Sequence, residues 1–143
     1  MKTLIRLFFA AIIISATAAF AHAETKAINK VASASVVDRY IEIVAKGNTL
    51  NMEAIFSNQF TQQVANKGKV VQHNRAQVIG FLKKQPNIQQ NCETAYTMIE
   101  QGNDSAIAKV EMQYEGFTRV EYVTLSNEGG RWKVSQVLTT YEK

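Results

Sequence analysis

Glu121, Gln136 and Tyr40 are the residues whose types and placement could do chemistry in this chain. Glu121 and Gln136 fall on an otherwise apolar face of the ribbon FTRVEYVTLSNEGGRWKVSQVLTTY, residues 117–141. A carboxylate on such a face is partly desolvated and suits a proton-accepting role. It could equally accept hydrogen bonds from Gln136 or Arg119 and stiffen the sheet, as buried polar groups usually do. Gln136 could read the amide or carbonyl edge of a ligand, or serve as the partner of Glu121. Tyr40 sits on the apolar face of a helix and could present its hydroxyl to an interior pocket as an acid, or pack with the hydroxyl at a rim. Phe56, Phe60, Phe81, Met112 and Trp132 could line such a pocket and stack on a flat ligand, and each could also be core. An enzyme built from these groups would use Glu121 as base and Tyr40 as acid. It would also need paired oxyanion donors, which the sequence does not identify.

The elements that must position these groups follow from periodicity. Gly129-Gly130 between two alternating runs marks a hairpin, because a two-residue turn needs positive φ. Upstream, Val37, Tyr40, Ile41 and Val44 recur at helical spacing, with Ser33 or Ser35 as cap and Gly47 as stop. A short second helix is expected over about Leu50–Phe56, an extended piece over Phe60–Val64, and a turn at Asn66-Lys67-Gly68. A third helix is expected from Asn74 to Lys84, with Val78, Phe81 and Leu82 as its buried stripe. Pro86 ends it, and the period then changes to two. Ile88–Glu100 and Ala106–Glu115 are expected strands. Helices first and a meander after them indicate an α+β domain.

Pairing across Gly129-Gly130 sets Leu125 beside Val134, Val123 beside Gln136 and Glu121 beside Leu138. A turn at Glu115-Gly116 sets Val110 opposite Glu121 and Ala108 opposite Val123. The expected inner face is then Ala108, Val110, Met112, Val123, Leu125, Trp132, Val134 and Leu138. The other face carries an apolar stripe of Val120, Tyr122, Val137 and Tyr141, which predicts a homodimer through the outer sheet.

The chain opens MKTLIRLFFAAIIISATAAFAHA, with Lys2 and Arg6 before a short apolar core and Ala21-His22-Ala23 at its end. This is the pattern of a cleaved secretory signal peptide over residues 1–23, and it predicts a periplasmic or secreted protein with no membrane anchor after cleavage. Residues 24–32 read as a mobile leader and 33–143 as one domain. Cleavage removes two of the sixteen basic residues and none of the twelve acidic ones, leaving a net charge of +2. The lysines are scattered without interleaved aromatics, so no nucleic-acid partner is expected. Cys92 is the single cysteine, which excludes an intramolecular disulfide and reads as a half-buried strand residue. His73 is the one histidine left after cleavage and reads as a solvated loop residue. One His and one Cys give too few ligands for zinc, and no metal or cofactor is expected. No nucleophile elbow, phosphate loop, CxxC or HExxH occurs.

The run VEYVTLSNEGGRWKVSQV resembles the Putative lumazine-binding family of the nuclear transport factor 2-like superfamily. The pieces VVDRYIEIVAKGNTLNMEAIFSNQF, VIGFLKK and SAIAKVEMQYEG agree with it. Glu121 stands where Asp is common in that motif, and Val137 where Lys is common. The resemblance implies a cone, in which three N-terminal helices pack on a strongly curved antiparallel sheet around a pocket. Members include enzymes such as ketosteroid isomerases, binding modules and assembly domains. The leading expectation is a small-molecule-binding module with an apolar-lined pocket. The alternatives that the resemblance implies are an isomerase- or dehydratase-type enzyme using Glu121 as base and a non-catalytic dimeric assembly domain.

Overall fold

The computed structural model describes Ile28 and residues 30–143. The chain divides into two compact units, Met1–Val31 and Ala32–Lys143. The expected signal peptide and most of the leader lie outside the described residues. Of the first unit, Ile28, Lys30 and Val31 are helical.

In the second unit, α1 occupies residues 32–44 and a single 3-10 turn follows at Met52–Ile55. Next come β1 (Phe56–Asn66), β2 (Lys69–Asn74) and α2 (Arg75–Lys83). Four further strands complete it: β3 (Glu93–Gln101), β4 (Ser105–Tyr114), β5 (Phe117–Glu128) and β6 (Arg131–Glu142). The strands form one sheet in the order β2-β1-β6-β5-β4-β3. All neighbours are antiparallel except β1 and β6, which run parallel.

This corrects the expected layout. The second helix is only the 3-10 turn. Phe56 begins an eleven-residue strand, which β-branched and aromatic content favours once a partner strand is present. The third helix is not N-terminal to the sheet, because the β1–β2 hairpin precedes it. That hairpin turns at Lys67 and Gly68, both at positive φ. Residue 32 is already helical, so neither Ser33 nor Ser35 is the cap; Ser33 is buried and accepts a bond of 2.5 Å from Gln101 Nε2. Asn74 does cap α2. Its Oδ1 accepts from the Gln77 N–H at 3.0 Å, and Gln77 Oε1 accepts from the Asn74 N–H at 2.9 Å, a reciprocal capping box.

The core lies where α1 crosses the concave sheet face. Val37, Tyr40, Ile41 and Ile43 from α1, and Ala45 just after it, pack against Phe56 and Phe60 of β1. Ala106, Ala108, Val110 and Met112 of β4 and Val123 and Leu125 of β5 complete this layer. The β4–β5 register is as expected, with Val110 opposite Glu121 and Ala108 opposite Val123.

The β5–β6 register is not. Leu125 pairs with Val134, but Thr124 pairs with Gln136, Val123 with Val137 and Glu121 with Thr139. Ser135 is therefore an extra residue, a β-bulge whose hydroxyl donates to the Thr124 carbonyl at 3.2 Å. One inserted residue exchanges the faces of every residue beyond it. Trp132 and Val134 point inward, and so do Val137, Thr139 and Tyr141, while Gln136 is exposed and Leu138 leaves the inner face. The outer stripe expected to carry a dimer is thereby broken. Val137 is core, Tyr141 is on the concave side, Val120 is buried, and of the four only Tyr122 is exposed on the convex face.

Candidate functional site

Between α1, α2, β1, β2 and the open end of β5 and β6 lies a cavity of about 480 Å³. Gly47 closes α1 at φ 70° and shapes one edge. The Asn87 N–H donates to the Gly47 carbonyl at 2.9 Å, and the Gln90 N–H donates to Ala45 O at 2.8 Å. Gln90 Nε2 donates to Val44 O at 3.1 Å. The loop through Ile88 thus satisfies carbonyls that the helix end leaves open. α2 supplies Val78, Phe81 and Leu82, and the β1–β2 hairpin supplies Gln62, Val64 and His73.

The floor is polar. Arg119 and Glu121 are two apart on β5 and share its inner face, flanked by Met112 and Tyr141 opposite Arg119 and by Val110 and Thr139 opposite Glu121. Arg119 Nε donates to Glu121 Oε1 at 2.9 Å, and Arg119 Nη2 donates to the same oxygen. Thr139 Oγ1 donates to Oε1 at 3.0 Å and itself accepts from Gln62 Nε2 at 3.1 Å. Tyr40 Oη donates to Oε2 at 2.7 Å. Glu121 is fully buried and does not itself line the cavity, whereas Arg119 and Tyr40 do. Burial opposes the charge on Arg119 most strongly, but the Glu121 carboxylate beside it, together with Tyr40 and Tyr141, outweighs that and raises its pKa. Glu121 therefore acts by holding Arg119 and Tyr40 in place. Both its oxygens already accept from protein donors, which leaves it poorly placed to take a proton from a substrate.

Burial, and then the adjacent Glu121 charge, hold the Tyr40 phenol well above its ordinary value of 10.0. The folded protein keeps this proton at a pH where the unfolded chain releases it. The contribution of Tyr40 to stability is thus complete below about pH 10 and declines as pH rises from there. Tyr40→Phe should flatten that alkaline decline, read as the urea midpoint between about pH 9 and 11. It should also cost about 1–2 kcal/mol at neutral pH, because Oε2 loses its donor. An alkaline slope unchanged in the variant would assign the decline to another group, such as Tyr114, which burial pushes up to about 12.

Of the residues singled out from the sequence, Tyr40, Phe60 and Phe81 line the cavity. Phe56, Met112 and Trp132 are buried in the core away from it, with Phe56 edge-on to Phe60 at 4.8 Å. Gln136 faces outward. His73 is not a solvated loop residue but a half-buried member of β2 at the cavity wall, and Cys92 lies just before β3 rather than within it. Arg119 was readable as a site residue, since strand alternation puts it on the face of Glu121. Gln62 and His73 required recognising the hairpin at Asn66-Lys67-Gly68, whose turn residues signal it. Tyr141 reaches the cavity only because of the bulge.

The family model described as Putative lumazine-binding matches residues 23–138. No curated protein matches the chain significantly. Among solved structures, a nuclear transport factor 2-like protein of unknown function from Silicibacter pomeroyi is 19% identical, with a TM-score of 0.63 over 81% of this chain and 96% of that one. One from Shewanella baltica is 18% identical, with a TM-score of 0.63 over 80% and 94%. A structure described as a putative ketosteroid isomerase, from Parabacteroides distasonis, is 12% identical, with a TM-score of 0.51 over 76% and 86%. At these identities the likeness concerns the fold.

Proposed function

Because this chain belongs to the Putative lumazine-binding family, we propose that it is a non-catalytic module that holds a small molecule in the cavity above Arg119. The observation that carries this reading is the saturation of Glu121. Its two oxygens accept from Arg119, Thr139 and Tyr40, so the most deeply buried carboxylate builds a rigid donor-lined floor. Arg119 has five N–H donors, and Glu121 engages only its Nε and Nη2. Above this floor the walls are apolar and aromatic, with Ile43, Val64, Val78 and Leu82 among them. An apolar cleft with a few convergent polar groups is the usual form of a ligand site, and about 480 Å³ is within the ordinary size range for a drug-sized molecule.

The test is a fragment screen by ligand-observed NMR on the natural protein and on Val78→Trp, which fills the cavity from α2. Hits on the natural protein that vanish in Val78→Trp, with an unchanged melting temperature, support the reading. Hits that persist in the filled variant would place binding elsewhere. We also assign the protein to the periplasm or the exterior. The support is the n-region, apolar core and Ala21-His22-Ala23 of its leader. Intact mass of the extracytoplasmic protein should give an N-terminus at Glu24, and a retained Met1 there would refute cleavage.

A further inference from the structure

The charge arrangement at the floor carries the reading of the cavity as a small-molecule site one step further, and rests on it. We propose that Glu121 sets the charge selectivity of the cavity. It admits neutral ligands headed by a hydrogen-bond acceptor, such as an amide or ring carbonyl, and rejects carboxylates of the same shape. A lone arginine at the base of an apolar cleft would select carboxylates, because its planar fork matches them bidentately. Here one edge of that fork is already filled by a carboxylate that is fully buried. The Arg119 side chain is itself only 20% exposed. The pair is electrically neutral, yet N–H donors of the guanidinium remain beyond the two Glu121 engages.

A neutral acceptor can use those donors without adding charge. A ligand carboxylate would bring a second negative charge to within a guanidinium's width of Glu121, where little water screens the repulsion. A cationic ligand finds no counter-charge there, since among the described residues no Asp or Glu lines the cavity. The other polar lining groups include four glutamine amides and the His73 imidazole, none of which supplies an anion. Glu121 is thus a specificity-determining residue that acts through Arg119 and need not touch the ligand.

The probes are 2-naphthamide and 2-naphthoate, equal in shape and different in charge, titrated calorimetrically at neutral pH. The natural protein should bind the amide at least about tenfold more tightly, the ratio that about 1.4 kcal/mol of repulsion produces. Glu121→Gln keeps the shape but leaves Arg119 uncompensated, and should reverse the order in favour of the naphthoate. Arg119→Gln removes the cation and leaves the Glu121 charge uncompensated beneath the cavity, and should widen the preference for the amide further. It also serves if Glu121→Gln does not fold, because the natural protein and Arg119→Gln alone decide the matter. Equal or tighter binding of the naphthoate by the natural protein would overturn the charge rule. If both probes are lost in Val78→Trp at the same time, the cavity reading survives that result. If neither probe binds the natural protein at millimolar concentration, the cavity reading fails, and this inference fails with it.

Discussion

Glu121→Leu is expected to lose about 3–5 kcal/mol of folding stability, the cost of leaving one member of a buried ion pair uncompensated. Three donors lose their acceptor at once: the Arg119 guanidinium, the Tyr40 hydroxyl and the Thr139 hydroxyl. In a domain of this size that corresponds to a fall of roughly 10–20 °C in melting temperature. The companion variant decides the cause. Replacing both partners together, Arg119→Met with Glu121→Leu, removes the unpaired charge and should recover most of the loss, because apolar replacement of a whole buried pair is often close to neutral. Thermal and urea unfolding of the two single variants and the double variant give the coupling directly. A double variant no more stable than Glu121→Leu would mean that the cost lies in packing around position 121, and not in the charge left on Arg119.

Gly47→Ala is the second large effect, expected at about 3–4 kcal/mol. Two penalties add there. The residue sits at φ 70°, which costs a non-glycine residue about 1–2 kcal/mol. A Cβ would also stand 2.5 Å from the Ile88 nitrogen and 2.7 Å from its carbonyl oxygen, and those are backbone atoms that cannot rotate away. Relief requires moving the loop that donates to the Gly47 and Ala45 carbonyls. Gly116→Ala is the control. It has φ 91° and nothing within 4 Å of an added Cβ, so only the backbone penalty of about 1–2 kcal/mol applies. A Gly47→Ala loss no greater than that of Gly116→Ala would show that the loop yields freely. Because Gly47, Ile88 and Gln90 also line the cavity, the same substitution should weaken binding of any cavity ligand.

The convex face gives a smaller expectation. With Val137 in the core and Tyr141 at the cavity, Tyr122→Lys now tests a single exposed aromatic on that face. Its effect on sedimentation should be slight, and a marked loss of self-association would restore an outer-face contact.

The sequence by itself determined the elements whose signals are local. Gly129 and Gly130, at φ 61° and 84°, specified the β5–β6 hairpin, because few other residues tolerate two successive positive φ values. Asn74 specified the start of α2, because its side chain and that of Gln77 satisfy each other's backbone. Alternation from Glu115-Gly116 placed Glu121 beside Val110 and so on the inner face. Tyr40 was placed on the core side of α1 by helical spacing alone. Only the tertiary structure decided the rest. Whether Phe56–Asn66 becomes strand depends on β6 lying alongside in parallel, a pairing between segments far apart in sequence that no local period encodes. The bulge at Ser135 depends on how β6 must bend to stay on β5 while receiving β1. That single inserted residue sent Gln136 to solvent and brought Thr139 to Glu121 and Tyr141 to Arg119. The identity of the site turned on it, because in a strand the period is two and a shift of one exchanges the faces.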